Sequence, residues 1–156
     1  MEGGATFSPC GRYRYELIRR WQPGPSVLFV MLNPSRADAE SDDPTIRRCS
    51  GFARRWGFGA LTVANLFAFR TPSPIELKAA PDPVGADNDS TLQRLSRQAD
   101  LTIAAWGNHG RFGGRSGQVA PWLAAPHCLQ VTALGEPAHP LYLRSDCQPF
   151  QWEPGA

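Results

Sequence analysis

Four stretches of the chain are apolar with little interruption: Val27–Leu32, residues 60–69 (ALTVANLFAF), Leu101–Trp106 and His127–Thr132. Their apolar residues run on rather than alternate, which is the pattern of strands covered on both faces. Between them the period changes. Ile46, Cys49, Phe52, Ala53 and Trp56 recur at helical spacing, while Arg47, Arg48, Arg54 and Arg55 fall mainly on the other side. Asp42 or Asp43 can cap this helix, Pro44 suits its first position, and Gly57 and Gly59 stop it. Thr91–Ala99 has the same period, with Leu92, Leu95 and Ala99 inward, and an apolar helix is expected near Gln118–Ala124. The loop between residues 70 and 89 is rich in proline and holds about one helical turn, Ile75–Ala79. The segment RYRYELIRRW, residues 12–21, alternates partly and predicts an edge strand or one arm of a hairpin.

Strands alternating with crossover helices imply an α/β fold: three layers, α/β/α, around a mainly parallel central sheet of about four strands. At 156 residues and 42% hydrophobic content, with proline and glycine spread as punctuation, the chain reads as a single domain over residues 1–156. Residues 1–25 form its N-terminal edge strand or hairpin arm. No stretch approaches a membrane span and the start MEGGATFSPC lacks the regions of a signal peptide, so a cytoplasmic protein with no membrane partner is expected. Cys10, Cys49, Cys128 and Cys147 lie far apart, which argues for reduced structural thiols. Together with His109, His127 and His139 they make no ligand spacing, so neither a metal nor another cofactor is expected. A net charge of +2 does not by itself imply nucleic acid, although 15 of the 16 basic residues are arginine, which suits phosphate forks and base stacking.

In a parallel sheet, ligands bind beyond the carboxyl ends of the strands. The first buried strand ends at Asn33-Pro34-Ser35. The second carries Asn65 and is followed by Arg70; the third ends at Trp106-Gly107-Asn108-His109; the last is followed by His139-Pro140. Amides on such a rim make paired donor and acceptor contacts that fit the edge of a nucleobase, and aromatic rings offer a stacking surface.

The motifs MLNPSRADAESDDPTIRRC, VANLFAFR, AAWGNHG and HPLYL span nearly the whole chain. They resemble a family of small bacterial proteins described as domain of unknown function 1643, with its LNPS, DDPTIRRC, NLFA and HPLY signatures. The order of motifs also resembles, more distantly, the uracil-DNA glycosylase superfamily: a first strand ending in an Asn-Pro turn, a second with asparagine and a trailing arginine, and a late His-Pro loop. That second resemblance implies a uracil-DNA-glycosylase-like fold and a base flipped into a pocket for cleavage of its N-glycosidic bond. It implies that Asn65 reads the base, with Pro34, Ser35, Trp106 and Asn108 beside it. His139 donates to the departing carbonyl and Asn33 positions water. Asp38, Asp42 and Asp43 offer carboxylates within reach of the loop, with Asp42 and Asp43 as the catalytic candidates; Leu141 fills the gap in the stack, and Arg70 contacts nucleic acid. Here the late loop reads HPLY rather than His-Pro-Ser-Pro-Leu, and no glycine follows Pro34.

Two functions from different classes follow. One is a glycosylase-type hydrolase acting on a damaged or modified base in DNA, RNA or a nucleotide; the other is a non-catalytic binder of the same ligands. Each residue also has a purely structural reading. Asn33 can shape a turn, Asp42 and Asp43 can cap a helix, and Asn65 can belong to a buried network. Trp106 can be core, Asn108 a turn former, His139 a loop histidine bonded to backbone, and the helix arginines a solvated face.

Overall fold

The computed structural model describes residues 1–154. One seven-stranded sheet organises them: β1 (Glu2–Phe7), β2 (Arg14–Arg20), β3 (Ser26–Met31), β4 (Ala60–Asn65), β5 (Leu101–Ala104), β6 (His127–Cys128) and β7 (Phe150–Gln151), in spatial order β1-β2-β4-β3-β5-β6-β7. The four central strands, β4, β3, β5 and β6, are parallel. β1, β2 and β7 add antiparallel flanks. The expected count of about four strands is therefore corrected to seven. β1 escapes a reading by pattern because EGGATF has neither an apolar run nor clean alternation, and β7 is two residues long. β2 is an arm of a hairpin with β1 and is not an edge, since β4 pairs with its other side.

Helices lie on both faces. On one, α1 (Pro44–Arg55) packs Ile46, Cys49, Phe52 and Ala53 against Val27, Phe29, Leu61, Val63 and Ile103. On the other, α2 (Pro74–Ala79), α3 (Asn88–Gln98) and α4 (Arg115–Val119) bring Leu77, Leu92, Leu95 and Val119 against Leu28, Val30, Ala64 and Ala104. Burial on both faces is why β3 reads as a continuous apolar run: all of Val27–Met31 is buried. α1 starts as its sequence predicts. Asp43 caps it by accepting from the Ile46 N–H at 2.9 Å, Pro44 occupies the first turn, and Gly57 leaves it at φ +87°.

Element ends differ from the pattern for local reasons. β4 stops at Asn65, which is thus its last residue rather than its middle, because Asn88 and Arg115 capture the carbonyls of Asn65 and Leu66. The helix expected near Gln118–Ala124 lies earlier, at Arg115–Val119. Pro121 then allows only a 3₁₀ turn over Ala120–Trp122. The strand expected over His127–Thr132 keeps two residues, after which Val131 bridges Pro137 in a local turn. No helix among the described residues is long and apolar enough to cross a membrane.

Candidate functional site

The acid-rich loop after β3 is held in place by two buried arginines of β2. Arg19 is 2% exposed. It donates to the carbonyls of Asp38 at 2.6 Å and Ser41 at 3.1 Å, to that of Ala39 at 3.3 Å, and to the Asp42 carboxylate at 2.9 Å. Arg14 donates to the Ala37 carbonyl at 3.0 Å. β1 makes room by carrying Gly3, since a Cβ there would collide with the Ala39 carbonyl. These bonds fix a run of polar residues against β1 and β2, from Ala37 beside Arg14 to Ser41 and Asp42 beside Arg19.

The edge itself is stitched across strands. Asn33 donates its amide N–H groups to the carbonyls of Thr71 at 2.7 Å, Phe69 at 3.2 Å and Pro34 at 3.2 Å, and Thr71 N–H returns a bond to Pro34 at 3.0 Å. Asn33, Pro34, Ser35 and Arg70 are thereby brought together. Ser35 and Arg70 line an open cleft of about 450 Å³ with Gly11, Arg12 and Phe69. Arg70 lies over the Phe7 ring at 4.7 Å and donates to Gly11, while its Nε is buried without a partner.

Deeper in the edge, on the side of α1, sits Asn65. It is 1% exposed, and neither its amide nitrogen nor its amide oxygen has a partner among the described residues. Its neighbour in register is Met31, whose sulfur is 3.9 Å from Cys49 on α1. Asp43, at the start of α1, lies near enough to act electrostatically on Cys49, on Arg14 and on His139. Burial lowers the Arg14 pKa to about 10, with Asp43 opposing that fall. Arg14 Nε is another buried donor left unpaired.

His139 caps a 3₁₀ turn, Pro140–Tyr142, that is tied to α1 by Arg48 Nε donating to the Pro140 carbonyl at 3.3 Å. Gly107, three residues past the end of β5, lies under the histidine: a Cβ there would be 3.8 Å from that of His139. The ring's Nδ1 accepts from the Leu141 N–H at 3.2 Å. In the neutral ring the proton therefore sits on Nε2. Burial lowers the pKa of His139, opposed by the Asp43 carboxylate, so the neutral donor form prevails near neutrality.

Not every expected residue joins this group. Trp106 is 1% exposed and sandwiched: Gly110 lies flat against its indole, Trp152 meets it edge-on at 5.4 Å, and Nε1–H donates to Glu136 at 2.9 Å. It has no open ring face for stacking in this conformation. Asn108 is exposed and accepts from the Thr132 hydroxyl at 2.6 Å. Asp42 is engaged by Arg19 on the outer side of the loop. Leu141 is 36% exposed beside the almost fully exposed Tyr142, at the surface next to His139. Asp43 does cap α1, but with one oxygen only; the other has no partner among the described residues.

Arg14 and Arg19 were not singled out from the sequence, and the only signal for them is a charged residue at an inward position of β2. Nor was Glu136, whose buried carboxylate joins Trp106 to the Ser116 hydroxyl at 2.7 Å. No group of three or more histidine, cysteine or acidic residues suited to a metal occurs among the described residues.

The sequence profile of the family described as "Protein of unknown function (DUF1643)" matches residues 14–141. The chain belongs to this family. The match runs from Arg14 on β2 to Leu141 beside His139, so Asn33, Asp43, Asn65, Arg70 and His139 lie within the family's shared region, while Gly11 and Arg12 of the open cleft lie just before it. Searches of curated proteins and of solved structures give no match.

Proposed function

We propose that the carboxyl edge of this sheet binds a nucleobase and that the protein is a glycosylase-type hydrolase of an N-glycosidic bond in DNA, RNA or a nucleotide. One observation carries the reading: the buried, unpartnered amide of Asn65. Burying such an amide without hydrogen bonds costs ~1–3 kcal/mol in proteins, and strain of this kind is concentrated where a ligand completes the bonding. An amide offers an acceptor beside two donors, the complement of a pyrimidine or purine edge. The motif order that resembles the uracil-DNA glycosylases points to the same base-reading role.

The remaining groups fit the reaction. Hydrolysis adds water across the sugar–base bond: the hydroxyl goes to the sugar carbon and a proton to the base. Positive charge builds on the sugar and negative charge on the leaving base. The free oxygen of Asp43 is the carboxylate best placed to stabilise the sugar and to accept the proton of water. His139 Nε2–H is the donor for the base carbonyl. Asn33, with its N–H groups bonded to three carbonyls, contributes its amide oxygen as an acceptor for water. Arg70 and Ser35, in the open cleft, take the flanking phosphate.

A second reading, a non-catalytic binder of the same ligands, is favoured by one observation: the Asn33 amide nitrogen is wholly occupied in holding the turn. The two separate by assay. The protein is incubated with oligonucleotides carrying uracil, hypoxanthine and other altered bases, followed by cleavage at abasic sites. Release that falls at least a hundredfold in His139→Ala and Asp43→Asn supports hydrolysis. Binding without release on any substrate leaves the binder.

A further inference from the structure

The outer face of α1 holds a second feature that the base pocket does not explain. Four arginines, Arg47, Arg48, Arg54 and Arg55, lie within its 12 residues, with no acidic residue in the helix. None of the four makes an ion pair with a carboxylate among the described residues. Arg47, Arg48 and Arg55 line a groove of about 130 Å³ with Gly51, Phe52 and Ser145. Two of them are fixed by backbone carbonyls: Arg48 by Pro140 at 3.3 Å, Arg55 by Ser145. Arg48 also rests 5.2 Å above the Phe52 ring. Their outer N–H groups are thus held in place facing the groove.

Gly51 supplies an independent pointer. It lies mid-helix and exposed, and a Cβ built on it meets nothing within 4 Å. Packing does not require glycine there, and glycine is the poorest helix former after proline. Glycine at such a place suits close approach of a ligand to the helix backbone. The groove runs along α1 for the two turns from Arg48 to Arg55, about 10 Å of helix rise. At its near end Arg48 is bonded to the 3₁₀ turn that follows His139.

We propose that this groove is a track for the phosphate backbone of a nucleic-acid strand, which makes the substrate a polynucleotide rather than a free base or mononucleotide. This rests on the base-pocket reading for its direction, since the track leads to His139. Arginine forks match phosphate oxygens bidentately, and an unpaired cationic row on one face is complementary in charge to a polyanion.

The test measures binding of a fluorescently labelled single-stranded oligonucleotide by anisotropy across a salt series, for the wild type, Gly51→Glu and Arg47→Ala. Gly51→Glu puts a carboxylate in the groove, yet replaces a poor helix former with a good one. The expected result is a thermal midpoint at or above wild type with a loss of affinity of about tenfold or more. Arg47→Ala should make the slope of log affinity against log salt shallower by about 1. Gly51→Glu binding within twofold of wild type overturns the proposal, as does polyglutamate of equal charge competing as well as the oligonucleotide. The base pocket fails separately. If free base shifts the Asn65 side-chain amide signals of the wild type while no oligonucleotide binds, the track is wrong and the pocket stands. If Gly51→Glu removes oligonucleotide binding while no base moves those signals, the track stands and the pocket is wrong.

Discussion

Replacing Asn65 with leucine should make the protein more stable. That is the reverse of what is expected for a polar substitution in most buried sites, where one partner loses another. Asn65 is 1% exposed and neither end of its amide is bonded to the protein. Burial without hydrogen bonds costs ~1–3 kcal/mol. Leucine matches the branching of asparagine and removes that penalty, while burying a leucine side chain contributes ~1.5–3 kcal/mol relative to exposure. Leucine is larger, and fitting the extra volume into a packed site takes back ~1–3 kcal/mol. The net expectation is a gain of about 2 kcal/mol, or a rise in thermal midpoint of about 4–8 °C for a chain of this size. Urea unfolding followed by tryptophan fluorescence, with an unchanged m-value, reads the gain directly. Base recognition should disappear in the same variant. A loss of more than about 1 kcal/mol would mean that the amide is fully bonded in the free protein, and the reasoning from its unmet bonds would fall.

Three other outcomes are expected. Arg19→Met removes the donor that holds Asp42 and the loop carbonyls, and should cost ~1–3 kcal/mol as those carbonyls lose their bonds; hydrogen exchange at residues 39–42 should rise with it, and a change below about 0.5 kcal/mol would show the loop holds without Arg19. His139 has its folded pKa below the unfolded value near 6.5. As pH falls through about 6.5 the unfolded chain takes up the proton first, so stability should fall there; His139→Asn, which keeps an acceptor for the Leu141 N–H, should lack that part of the slope, and parallel curves for the two proteins would refute it. Trp106→Phe leaves the buried Glu136 carboxylate with Ser116 alone and should cost ~2–4 kcal/mol, measured by denaturant unfolding; no change would mean that the indole bond contributes nothing.

The parallel centre of the fold and α1 could be read from sequence because burial on two faces leaves continuous apolar runs, and because Asp43, Pro44 and the spacing from Ile46 to Ala53 are local signals. β1 could not, since its role is to offer backbone and the empty space at Gly3. Asn65 and His139 stood out because polar groups interrupt apolar or proline-marked stretches. Asp43 was legible as a cap, and its nearness to Arg14 and His139 is a tertiary fact. The apolar run allowed Trp106 to be core, but its bond to Glu136, and through it to Ser116, could not be read because those residues are distant in sequence. The buried arginines of β2 were hidden for a related reason: apart from Asp42 their partners are backbone carbonyls, and carbonyls carry no sequence signature. Gly51 lies inside the helix, and only the open space around it shows that packing does not ask for glycine there.

The central claim is that Asn65 reads a base. Its most direct test is an NMR titration of the ¹⁵N-labelled protein with free uracil and other nucleobases, following the Asn65 side-chain NH₂ signals assigned by their loss in Asn65→Leu. The account predicts saturable shifts of those signals with at least one base, and none in the variant. Unmoved Asn65 signals across the panel, or equal binding by Asn65→Leu, would contradict it.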